Sequence, residues 1–271
     1  MKPFGVLIGV GLAVFLLWCF WASHAVGIAQ WWLARTSVDI NGAAAWGDAF
    51  GPFNALLSAL GFAAVLATLW LQAQALKGQG EDLHRQRFES TFFELLRLLR
   101  EVRSEISFQH SSDYKKAVAF EGKGRLNLKL HASRTGHSGI QAAVSELRYW
   151  LAPGRTKSGG REQIVSIYRD NIHKNNEASL GPYFRLIYTI LNKLRNDSIL
   201  SHKEKAAYGN LLRSQLTSEE ITLLGVNALA PFAKDLDSLI IEFRMLKYLP
   251  LSSMQRRLAR IYDPQAFQER D

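Results

Sequence analysis

The sequence predicts an all-α protein: an N-terminal two-helix transmembrane hairpin followed by a cytoplasmic α-helical bundle. Two long uncharged stretches fill its first quarter. Apolar residues then recur at spacings of three and four, and no run alternates as a half-buried strand would. Trp18, Trp21, Trp31, Trp32, Trp46 and Trp70 lie near the ends of the uncharged stretches or between them. An amphipathic indole suits that position, at the membrane interface.

The hairpin comes first. No formal charge falls between Lys2 and Arg35, or between Asp48 and Lys77. A bilayer-spanning helix takes about 20 mostly apolar residues, and residues 4–22 and 52–75 both meet that length. Lys2 precedes the first span, and Lys77, Arg85, Arg87, Arg97, Arg100 and Arg103 follow the second. The intervening loop holds only Arg35, Asp39 and Asp48. Basic residues stay inside, so both termini are expected in the cytoplasm and the loop outside. Lys2 and Arg35 offset Asp39 and Asp48, so the formal charge of +9 belongs to the part after residue 76. That part is expected to be drawn to anionic lipid. A cleaved signal peptide is the rival reading of the first run, with Ser23-His24-Ala25 as a loose cleavage site, but the run exceeds a usual signal core. Cys19 is the only cysteine, which excludes an intrachain disulfide or a cysteine-based zinc site. Gly5, Gly9 and Gly11 in one span, and Gly61 with Ala59, Ala63, Ala64 and Ala67 in the other, permit close helix contact in lipid. They serve either pairing within the hairpin or a pore. Neither span carries an ionisable residue at mid-depth, so no selective ion path is visible.

Residues 77–109 form the next expected element, a juxtamembrane amphipathic helix loosened at Gly78 and Gly80. Phe88, Phe92, Leu95, Leu99, Val102 and Ile106 make a heptad seam, widened by Phe93, Leu96 and Leu98. The seam fits either the core of the following domain or a short coiled coil between protomers, and core packing suits its length better.

The third expected part is a cytoplasmic helical domain over 110–271. Residues 110–180 are irregular and rich in glycine, with helices expected near 142–151 and 163–172. Ten basic residues between 115 and 161 face only Glu121 and Glu146. Such density suits anionic phosphate groups of lipid, nucleotide or nucleic acid, or a plain solvated face beside the inner leaflet. No interleaved aromatic pattern favours nucleic acid. The last third is clearly helical. Phe184, Ile187, Leu191 and Leu194 form one stripe, with Ala207, Tyr208, Leu211 and Leu212 on the next helix. Ser201-His202-Lys203-Glu204 and Thr217-Ser218-Glu219-Glu220 read as capping boxes. Pro231 is expected in the first turn of a helix carrying Phe232, Leu236, Leu239, Ile240, Phe243 and Leu246.

Residues 183–229 are the most distinctive. An aromatic-Phe-Arg-x-x-Tyr helix (Phe184, Arg185, Tyr188) precedes a Tyr-x-x-x-x-Arg-x-Gln-Leu helix (Tyr208, Arg213, Gln215, Leu216). A Thr-x-x-Glu start (Thr217, Glu220) and a helix ending near Asn227 follow. This pattern resembles the phage abortive infection family of AbiC-like bacterial membrane proteins. The Gly-Asp-x-x-Gly-Pro entry to the second span (Gly47, Asp48, Gly51, Pro52) and the Phe92-Phe93-Glu94-Leu95-Leu96 helix resemble it too, whereas residues 110–180 match poorly. The resemblance implies bacterial anti-phage defence by an effector that kills or arrests the infected cell. It implies no established reaction and no cofactor. It makes Arg185, Tyr188, Tyr208, Arg213, Gln215, Glu220 and Asn227 the candidate binding residues, although a buried polar cluster of Arg185, Arg213 and Glu220 suits joining helices better than holding a ligand. Expected partners are the lipid bilayer, further copies of the chain, and a regulatory defence protein or nucleic acid.

Enzymatic chemistry has two sequence candidates, Arg195 with His202 and the looser Arg169-Asp170-x-x-His173. Arg195 and His202 have the R-x6-H spacing of HEPN-type ribonucleases, in which an imidazole and a guanidinium flank a phosphate. Ser201 as a helix cap would separate the two. No P-loop, H-E-x-x-H or Gly-x-Ser-x-Gly occurs, and the seven histidines are scattered, so no metal site is expected. A membrane effector without catalysis, a membrane-anchored ribonuclease and a scaffold for a defence partner therefore remain as function classes.

Overall fold

In a computed structural model, residues 12, 14–21, 23–24, 27, 31, 43–121, 132–155, 160–233 and 235–269 are described. They are mostly helical, in keeping with an all-α fold. The chain divides into two compact units, Met1–Gly80 and Glu81–Asp271.

In the first unit, residues 12 and 14–21 of the expected first span are helical. The rest of 4–22, and most of the loop after it, lie outside the described residues. Helix α1, Ala43–Glu105, begins in this unit. Its side chains from 54 to 80 are exposed on every side, including Leu60, Phe62, Leu69 and Trp70. Among the described residues it is the one helix long and apolar enough to cross a membrane. The Trp21 ring stacks on Phe53 with centroids 4.4 Å apart. The helix does not break at Gly78 or Gly80. Each glycine costs only about 1 kcal/mol, which good helix formers on either side offset.

The second unit opens with residues 81–105 of α1, where the seam is buried. Phe88, Phe92, Leu96, Leu99 and Ile106 belong to one core, with Leu95 and Val102 packed against it. The seam is therefore core, and Phe93 and Leu98 are the positions that face outward. The chain continues through β1 (Ser107–Phe108), α2 (Ser112–Phe120), β2 (Arg134–Thr135) and α3 (Gly136–Trp150). The two short strands pair antiparallel, Ser107 opposite Thr135 and Phe108 opposite Arg134. Sequence periodicity gave no hint of so short a ladder. Next come α4 (Arg161–Ile167), a π-helical turn (Tyr168–His173) and α5 (Lys174–Asn196). Asn176 has non-helical φ −132° and ψ 18°, and kinks α5. Its amide answers for the break by donating to Ile172 O at 2.9 Å and accepting from Gln109 N at 2.9 Å.

Helices α6 (His202–Ser214) and α7 (Ser218–Asn227) start on complete capping boxes at Ser201/Glu204 and Thr217/Glu220. Every residue of 220–230 is buried, so α7 is the central helix of the unit. Pro231 starts only a 3-10 turn, Pro231–Ala233, and α8 runs from Leu236 to Glu242. The expected long helix from Pro231 is thus divided, and Phe232 leaves the stripe for the surface. After α8 the chain turns at Arg244, a non-glycine residue with φ 48°. Short helix α9 (Ser253–Leu258) and a 3-10 turn at Pro264–Phe267 complete the unit.

Candidate functional site

Two polar constructions sit against the apolar core of the second unit. The first is a buried node at the start of α7. Glu220, 1% exposed, accepts from Thr217 N at 2.7 Å through Oε2, as a capping-box residue does. Its Oε1 accepts from the Tyr183 hydroxyl at 2.6 Å and lies 2.7 Å from Arg103 Nε. The Arg103 Nε–H is not aligned with that oxygen, so this contact is one of charge. Arg103 Nη2 donates instead to Gln215 O at 2.7 Å. Burial first, and then the neighbouring carboxylate, hold the Tyr183 phenol well above its usual pKa. A carboxylate that would cost several kcal/mol unpaired is fixed here by α1, α5 and the α6–α7 turn together.

The second construction is a cavity of about 530 Å³. Its floor is one face of α5: Glu177, Gly181, Phe184, Arg185 and Tyr188, spaced four, three, one and three residues apart. Opposite stand His173 of the π-helical turn, Asn227 at the end of α7, and Phe232, Ala233 and Leu236. The His173 and Phe232 rings stack at 4.2 Å, 15° from parallel. His173 Nδ1 is buried without a hydrogen-bond partner, and burial pushes the imidazole pKa down. Asn227 accepts the Tyr168 hydroxyl at 2.9 Å, which fixes its amide orientation. The side chains of Arg185, Glu177 and Tyr188 carry no hydrogen bond or ion pair among the described residues.

The candidate binding residues therefore divide. Arg185, Tyr188 and Asn227 line the cavity. Glu220 forms the node, and Gln215 contributes its carbonyl. Tyr208 packs between Phe88 and Phe92, with ring centroids 5.2 and 4.9 Å away, and donates to Glu89 at 3.0 Å. Burial raises its phenol to about 12. Arg213, 4% exposed, donates to Arg244 O at 2.9 Å and to Asn210 at 2.8 Å, and lies 4.8 Å from the Tyr248 ring centroid. It holds the left-handed turn at Arg244. Arg185, Arg213 and Glu220 each have separate surroundings and form no common cluster.

Arg195 closes α5, bonded to Ser238 and Asn192, whereas His202 opens α6 in an exposed position. The Ser201 cap stands between them. No cluster of three or more metal-ligating side chains occurs among the described residues.

Sequence reading missed one further site. Glu146, fully buried on α3, accepts from His110 at 2.8 Å, from Ser111 N at 3.2 Å and from the Ser111 hydroxyl. The Ser111 proton is directed to the carboxylate and not to the imidazole, so the trio is no nucleophile and base pair. Glu121 pairs with Arg155, so both acids of the basic 115–161 segment are used internally. Residues 122–131 and 156–159 of that segment lie outside the described residues.

Residues 175–254, from α5 to the start of α9, match the family model putAbiC, described as "Putative phage abortive infection protein". The match spans the floor of the cavity, the buried α7 and the node except for Arg103. No curated protein and no solved structure matches the chain. The class in view is an α-helical protein whose residues 175–254 are similar to a family described by its role in phage abortive infection.

Proposed function

We propose that the chain is a bacterial anti-phage effector that sits in the inner membrane and disrupts it when triggered. The exposed apolar sheath of α1 carries this reading. From 54 to 76 this helix carries no charge and exposes its side chains on every side, which suits lipid. The Trp21–Phe53 stack, within the same unit, suits a first span at 4–22 folding back along the second as a hairpin. The positive charge after residue 76 favours a topology with both termini in the cytoplasm. The segment similar to the abortive infection family then lies in the cytoplasm, where phage components appear. A trigger acting on it, alone or through copies of the chain, rearranges the hairpins.

The test is membrane potential in cells after phage challenge, read with a dye, beside RNA integrity. The full chain is expected to depolarise cells while RNA stays intact. Replacing Gly61 and Ala64 with Leu should weaken toxicity, because small residues let helices pack closely in lipid. Polarised membranes with fragmented RNA would sink the reading and restore the ribonuclease. Toxicity from residues 81–271 alone would reduce the hairpin to an anchor.

A further inference from the structure

The cavity on α5 brings two opposite charges to one surface without joining them. Elsewhere the buried acids find partners: Glu220 has Arg103 and Tyr183, and Glu146 has His110 and Ser111. Glu177 and Arg185 face one cavity and do not pair. They stand eight residues apart on the same helix face, about 12 Å along the axis. Arg185 reaches back toward the α5 N-terminus. A Cβ on Gly181 would lie 3.1 Å from Arg185 Nη1, so the guanidinium rests over the bare backbone of that glycine. Its charge is therefore about one turn, roughly 6 Å, from the level of Glu177. The glycine leaves the floor of the cavity open between a cation and a carboxylate.

The walls complete a pattern. Three groups can donate toward an anion: the Arg185 guanidinium, the Tyr188 hydroxyl and the Asn227 amide NH2, whose oxygen is taken by Tyr168. One group only accepts, the Glu177 carboxylate. Phe184 and Phe232 supply apolar faces, and His173 backs the Phe232 ring. With its imidazole pKa lowered, His173 adds aromatic surface rather than charge. A volume of about 530 Å³ is within the range of small-molecule sites and exceeds what an inorganic ion needs. A π-helical turn beside it is a frequent mark of a functional site.

The geometry points to a binding site for a nucleoside monophosphate whose base carries an amino group. The phosphate meets Arg185 in bidentate fashion, with Tyr188 and Asn227 as further donors. The base lies on the Phe232 face, and its amino group donates to Glu177. A single guanidinium opposite one carboxylate suits one phosphate and disfavours a triphosphate. The inference stands apart from the membrane reading, since a nucleotide site would serve an anchored ribonuclease or a scaffold equally well.

The experiment is calorimetric titration of the detergent-solubilised full chain with AMP, adenosine, ATP and inorganic phosphate. AMP is expected to saturate one site per chain, with adenosine and ATP at least about tenfold weaker, a difference of about 1.4 kcal/mol. Arg185→Ala should bring AMP down to the level of adenosine and leave adenosine unchanged. Phe232→Ala should weaken both. Glu177→Gln should reduce the preference for AMP over the amine-free inosine monophosphate. Arg185, Glu177 and Phe232 are exposed, so these variants should melt with the parent chain. Failure of AMP, CMP and GMP to bind at millimolar concentration would overturn the proposal. So would phosphate binding as tightly as AMP, which would leave an anion site with no use for its aromatic walls. Binding unaffected by Arg185→Ala would place the ligand elsewhere and overturn it as well.

Discussion

Replacing Glu220 tests the node that joins α1, α5 and α7. Glu220→Ala removes the acceptor of the Thr217 N–H at 2.7 Å and of the Tyr183 hydroxyl at 2.6 Å, and the counter-charge of Arg103 at 2.7 Å. Breaking a buried ion pair costs about 3–5 kcal/mol, mostly by stranding the remaining charge. The Arg103 side chain is 21% exposed, so water recovers part of that, and the lower end applies. Loss of one half of a capping box adds up to about 1 kcal/mol. A total of about 3–4 kcal/mol corresponds to a fall of roughly 6–16 °C in melting temperature for a unit of this size. Glu220→Gln keeps the shape and an acceptor oxygen, and should cost about half as much. Near-ultraviolet circular dichroism of the solubilised chain, which follows tyrosine packing, reads the melting. A double-mutant cycle with Tyr183→Phe should show coupling of about 1 kcal/mol or more, since the two side chains share one hydrogen bond. A fall under 2 °C for Glu220→Ala, together with zero coupling, would mean that the carboxylate is not buried against Tyr183 and Arg103.

Other expectations follow from neighbouring contacts. Leu99→Asp, at a position with no exposure, should destabilise the second unit by several kcal/mol, and Leu95→Asp, which is partly buried, by less; wild-type melting of the Leu99 variant would refute the placement of α1 in the core. His202→Ala should leave protection against phage intact because the residue is exposed and separated from Arg195, and loss of protection in both single variants at unchanged protein level would revive catalysis. Burial pushes the Asp197 carboxyl up, but the N–H groups of Leu200 and Ile199 and the His84 ring more than offset it, and its pKa ends below the usual value. The folded chain therefore holds this proton less tightly than the unfolded one, and the stability is full above the ordinary aspartate range near 4 and lost as pH falls through the lower folded value. Asp197→Asn should flatten that acid limb in melting measured from pH 5 to 2, and an unchanged slope would refute the assignment.

Local signals in the sequence were the ones that carried through to structure. Both capping boxes are written within four residues and form as read, because their hydrogen bonds are made before any tertiary contact. The α1 seam needed only its period to be recognised as an apolar face, although its burial depended on partners such as Tyr208, more than a hundred residues away. Pro231 misled because a proline permits a helix start without requiring one, and α8 waits until Leu236. The cavity was half legible. Arg185, Tyr188 and Asn227 stood out through the family resemblance, yet nothing local marked His173, Glu177 or Phe232 as their neighbours. Glu146 was hidden for the same reason. A charged residue beside Leu147 and Val144 reads as surface until His110 and Ser111 arrive from another element.

The π-helical turn at Tyr168–His173 bears on how this chain can change length over evolution. A π turn holds more backbone than an α turn, so it is the trace of extra chain accommodated inside a helix. Deleting one residue there would let the helix close as α, and each residue in an α-helix advances about 100° around the axis. Ile164 and Tyr168, both fully buried, would swing by that angle relative to α5 and lose their places in the core. Insertions and deletions are therefore expected to be purged from 161–176.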